Sequence, residues 1–123
     1  MKKNFQVTDI EGWLNLPNIE IPSLQSKKEI GSIFEVKKVG FVLADRNECR
    51  AKGLNKASEV LGGKCALPTA VVLFDDKYEL CSLPLDLSEW VQQCVAMAQA
   101  GMNPFPTKVE FGIINNRAYA EML

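Results

Sequence analysis

The chain contains no histidine. That excludes a Ser-His-Asp triad or a Cys-His dyad within one chain, and with them the commonest general base near neutral pH. It has four cysteines, Cys49, Cys65, Cys81 and Cys94, but no C-x-x-C spacing. With no histidine to complete a ligand set, a zinc site of the usual kind is not expected, and nothing calls for a cofactor. No segment reaches the apolar length that a membrane helix needs, and Met1-Lys2-Lys3 is not followed by an apolar run of signal-peptide length. These absences lead to the expectation of a cytoplasmic protein with no membrane partner and four reduced thiols serving as small apolar side chains. A surplus of one charge is lacking too, since 14 basic residues stand against 15 acidic ones for a net charge of −1. Nucleic acid is therefore not the expected partner, because phosphate binding needs a dense basic surface. The pairs Lys2-Lys3, Lys27-Lys28 and Lys37-Lys38 are scattered and have no arginine or aromatic cluster beside them.

What is present fits one globular domain spanning residues 1–123, with 47% hydrophobic and 24% charged residues and no low-complexity break. Thr8 and Glu11 have capping-box spacing, which predicts a short helix carrying Ile10, Trp13 and Leu14 and ending before Pro17. The β-branched and aromatic segment IFEVKKVGFVLA (residues 33–44) reads as one bent strand or two, with Gly40 at the bend. Asp45 then caps a helical stretch over residues 46–63, kinked near Gly53 and closed by Gly62-Gly63. The Gly-Gly-Lys there is not a phosphate loop, because Ser58 and Cys65 stand where that motif needs glycine and Ser or Thr.

Residues 68–85, PTAVVLFDDKYELCSLPL, predict a hairpin that turns at Asp75-Asp76, its unbroken apolar strand central in a sheet. Asp86, with Glu89 three residues on, predicts a capped helix whose apolar stripe is Trp90, Val91, Cys94, Val95, Met97 and Ala98, ended by Gly101. The predicted class is α+β: about five antiparallel strands, with the helices packed on one face so that Trp90, Val95, Phe111 and Ile113 are buried together.

The segment TKVEFGIINNRAYAEML (residues 107–123) predicts a C-terminal hairpin with a two-residue turn at Asn115-Asn116. Counting outward sets Ile113 opposite Ala118, Phe111 opposite Ala120 and Val109 opposite Met122 on one face. On the other, Ile114 meets Arg117, Gly112 meets Tyr119 and Glu110 meets Glu121. Two glutamates facing across a ladder repel, so they ask for a partner, for water, or for a use. As a site, Glu110 and Glu121 would share a proton for general acid work, with Tyr119 and Lys108 orienting a substrate. Cys49, between Arg46 and Arg50 near a helix start, is a second catalytic candidate. As a surface, Tyr119, Lys108, Arg117 and Ile114 make an aromatic and aliphatic patch edged by charge, suited to another protein or to a second copy of this chain. The expectation drawn from these residues is a binding or interaction protein acting as a homodimer through a sheet face or edge. The alternative is a small-ligand binder or histidine-free enzyme built on Glu110 and Glu121.

Overall fold

The apolar run that ends at Phe74 forms the strand at the centre of the fold. The computed structural model describes residues 10–26, 28–54, 58–60 and 62–123. Among these, seven strands join in one mainly antiparallel sheet, which makes the class α+β. They are β1 (Ser23–Leu24), β2 (Ser32–Asp45), β3 (Ser58–Val60), β4 (Lys64–Phe74), β5 (Lys77–Ser82), β6 (Thr107–Ile114) and β7 (Arg117–Met122). The helices are α1 (Ile10–Leu14), α2 (Arg46–Ala51) and α3 (Ser88–Gln99), the last entered through a 3-10 turn at Leu85–Leu87. Across the sheet the order is β7, β6, β2, β4, β5. Short β1 runs parallel to the end of β6, and β3 pairs with the start of β4.

Burial follows the register. On β4, Ala70 and Val72 point to one face while Cys65 and Leu67 point to the other, and all four are buried. The first face gathers Val36, Val109, Phe111 and Cys81 against Val91 of α3, with Trp90 set edge-on to Phe111 at 6.0 Å between ring centroids. The second gathers Val42, Ala44, Cys65 and Leu67 with Trp13 of α1 and Cys49 of α2. Trp13 also donates its Nε1–H to the Pro68 carbonyl at 2.9 Å, so its polar edge is satisfied inside the cluster. The expectation of helices on one face is therefore corrected. An apolar strand buried on both sides needs cover on both, and α1 and α2 lie opposite α3.

Other elements depart from the sequence reading for local reasons. Two residues of β2 oppose one of β4 between Val36 and Lys38, so the bend is a bulge at Lys37, while Gly40 pairs regularly with Thr69. Asp45 does cap a helix, accepting from the backbone of Asn47 and Glu48, but α2 ends at Ala51. Residues 58–60 pair with β4 instead of continuing that helix, and Gly62 and Gly63, with φ of 86° and 70°, belong to the turn into β4. Asp86 does not cap α3, whose first residue follows Leu87 with no side-chain cap. Its carboxylate accepts the N–H of Ala118 on β7 at 3.1 Å. The other end of α3 closes as expected: Gly101 has a φ of 83°, its N–H reaches Ala98 and that of Met102 reaches Met97. Cys49 and Cys65 are joined in a disulfide, which corrects the reading of four reduced thiols and removes Cys49 as a free nucleophile; Cys81 and Cys94 are free and buried. Thr8, Lys2-Lys3 and Lys27 lie outside the described residues. No helix among the described residues is long and apolar enough to cross a membrane.

Candidate functional site

The terminal pair of strands turns at Asn115-Asn116, both in the left-handed region with φ of 53° and 63°. Asparagine tolerates that region, and a two-residue turn of this hand matches strand twist. The turn fixes the ladder, with Glu110 opposite Glu121, Gly112 opposite Tyr119 and Ile114 opposite Arg117, the same partners that counting along the sequence gives. On the far edge of β6, Ile33 faces Glu110 and Glu35 faces Lys108. One sheet face therefore carries Ile33, Glu35, Lys108, Glu110, Tyr119 and Glu121 in adjoining rows.

Two glycines shape the middle of this face. The Tyr119 ring lies over Gly112, where an added Cβ would sit 2.4 Å from the ring. Its hydroxyl donates to Glu110 Oε2 at 2.5 Å, and the same oxygen accepts the Gly31 N–H at 3.3 Å. Both bonds use Oε2 as an acceptor, the role a carboxylate anion fills. Donating to Glu110 pushes the Tyr119 hydroxyl up to about 12, with burial and the charges of Glu110 and Glu121 adding to the shift. Tyr119 is thus held as a neutral donor. Glu121, directly across, is exposed.

A second cluster on the same face was not legible in the sequence. Tyr78 on β5 donates its hydroxyl to Glu35 Oε2 at 2.7 Å, and Lys37, the bulged residue, lies over the Tyr78 ring at 5.1 Å. The hydrogen bond to Glu35, then burial and the Glu35 charge, raise the Tyr78 pKa. Tyr78 lies 43 positions from Glu35, and the bulge at Lys37 with the β2–β4–β5 ladders brings it beside Glu35 and Lys37.

The other candidates are dispersed. Arg117 is exposed beside the turn, Ile114 is half-buried where β6 meets Leu24 of β1, and Lys108 is exposed with its carbonyl accepting the Leu123 N–H. Cys49 sits in the cluster under α1, on the end of this sheet face that Trp13 covers. Among the described residues there is no group of three or more His, Cys, Asp or Glu able to hold a metal. A groove of about 400 Å3 runs along the outer edge of β5, lined by Leu16, Pro17, Lys77, Tyr78, Glu79 and Leu80. Comparison with protein families, curated proteins and solved structures yields no match to this chain.

Proposed function

We propose that this chain is a small binding protein that associates with a second copy of itself through an edge of its sheet. The observation that carries this reading is that, among the described residues, no long strand pairs with the outer side of β5 or of β7. The strands β5 and β7 each pair with one long neighbour and turn backbone N–H and C=O groups outward, of which Asp86 takes the Ala118 N–H on β7 and Pro17 the Ser82 N–H on β5. Groups of that kind are a template for another strand, and the commonest closed assembly of identical chains is a two-fold dimer. The face carrying Tyr119, Lys108, Arg117 and Ile114 lies beside β7 and would flank such a contact.

The catalytic alternative draws less support from the same geometry. A proton shared between Glu110 and Glu121 needs both carboxylates free to meet, whereas Glu110 Oε2 already accepts from Tyr119 and from Gly31. Those bonds tie Glu110 into the architecture of the face.

Light scattering on the purified chain at micromolar concentration tests the proposal. The expected mass is twice 13.7 kDa. A single species at the monomer mass across that range would overturn it.

A further inference from the structure

We infer that β5, and not β7, is the edge that pairs with a second copy, with Tyr78 opposite Tyr78 across the two-fold axis. This rests on the dimer reading above and specifies its contact.

The two edges differ in which backbone groups they offer. In an antiparallel ladder closed by a two-residue turn, the residues flanking the turn bond to each other, and alternate residues beyond them face outward. On β7 the outward set is Ala118, Ala120 and Met122, and the first of these gives its N–H to Asp86 at 3.1 Å. On β5 the set is Tyr78, Leu80 and Ser82. Ser82 gives its N–H to the Pro17 carbonyl at 3.1 Å, which begins an added strand that, among the described residues, goes no further than one bridge at Asn18. Tyr78 and Leu80 then line the groove beside it. Among the described residues the edge of β7 is closed at its turn end, while that of β5 has no backbone partner toward its turn.

Charge selects the register. Lys77 and Glu79 are exposed and share one face of β5. An antiparallel two-fold pair centred on Tyr78 sets Lys77 opposite the second copy's Glu79 and Glu79 opposite its Lys77, two favourable cross-strand pairs from one symmetry operation. Tyr78 exchanges N–H and C=O with its copy at the axis. Centring on Glu79 would instead oppose like charges, and centring on Leu80 would leave Glu79 against Cys81. The corresponding attractive register on β7, Arg117 opposite the second copy's Glu121, needs outward pairing at Ala118, whose N–H Asp86 already holds. Charged residues on an edge strand ordinarily repel other strands. On β5 their order is self-complementary.

The test is a charge exchange followed by sedimentation equilibrium over a dilution series. Lys77→Glu and Glu79→Lys each convert both symmetric pairs from attraction to repulsion and are expected to weaken dimerisation at least about tenfold. The double variant K77E/E79K restores both pairs and is expected to recover the wild-type constant to within about threefold. In addition, Tyr78→Cys is expected to form a covalent dimer under mild oxidation, since hydrogen-bonded antiparallel partners hold their Cα atoms about 5.5 Å apart. A dimeric wild type with unchanged single variants would overturn the β5 edge and leave the dimer reading standing. Single variants that dissociate with a double variant that does not recover would overturn the register. A monomeric wild type would overturn the dimer reading itself.

Discussion

Gly31 and Gly112 leave the space that Tyr119 occupies, but they do so against different neighbours. A Cβ at Gly31 would fall 2.1 Å from the carbonyl oxygen of Phe111, a backbone atom in the β6 ladder that has no freedom to withdraw. At Gly112 the obstacle is the Tyr119 ring, a side chain that can swing away. Gly31→Ala is therefore expected to destabilise the fold by about 3 kcal/mol, more than Gly112→Ala, with urea unfolding as the measurement. Tyr119→Phe removes the hydroxyl bond to Glu110 at an expected cost of about 1 kcal/mol at neutral pH. Because folding raises the Tyr119 pKa from 10.0 to about 12, the stabilisation from that shift is complete below pH 10 and is lost as pH rises through 12. Over that window the wild type should lose more stability with pH than the phenylalanine variant, which keeps the raised groups Tyr78, Cys81 and Cys94 but lacks that of Tyr119. A tyrosinate absorbance titration of the native protein should show both tyrosines ionising above 10. The pairing of Tyr119 with Gly112 was legible in the sequence because a two-residue turn fixes every partner behind it. Gly31 was not, since its closeness to Phe111 depends on β2 meeting β6, and nothing near Gly31 encodes that meeting.

At the scale of elements, the sequence was most informative where one turn controls a ladder. The turns at Asp75-Asp76 and Asn115-Asn116 each set a two-residue loop, and the apolar run into β4 marked a strand buried on both faces. It was least informative where a distant strand overrides local preference. Residues 58–60 follow a helix-favouring run, yet pairing with β4 holds them extended. Asp86 shows the same limit: the spacing to Glu89 resembles a helix cap, while its carboxylate serves β7, 32 residues away. Asp86→Ala is expected to lower stability by about 1 kcal/mol, visible as a fall of several degrees in melting temperature. The same change frees the Ala118 N–H, so the variant should self-associate more readily than wild type in a concentration series.

For the molecule as a whole, two cores on opposite sides of one sheet are tied by different means. The side facing α3 relies on packing around Val36, Val91 and Phe111, and Cys81 and Cys94 are buried free thiols. The side facing α1 and α2 also holds the bond between Cys49 and Cys65. The wide spacing of the cysteines gave no reason to join any two of them, and the proximity of Cys49 and Cys65 follows from α2 folding back against the start of β4. Thiol titration of the unfolded chain should find two reactive cysteines without reductant and four after reduction. In the native protein Cys81 and Cys94 should react slowly, since burial lifts both thiols to about 11 and, at Cys81, the charge of Glu79 adds to the effect.

The long strand β2 serves two partners in succession. Its first residues pair with β6 and the rest with β4, and Val36 alone is held by both. The bond between Gly31 and Glu110 at the head of that strand spans 79 positions of chain, whereas β4 and β5 are joined by a tight turn. On a ribosome, β2 can therefore be matched with β4 early, while its opening residues emerge long before β6 exists to receive them. Phe34 and Val36 can meet Phe74 and Val72 early, but their β6 side stays open until residues 107–114 are made, and in that interval the nascent chain most needs shielding.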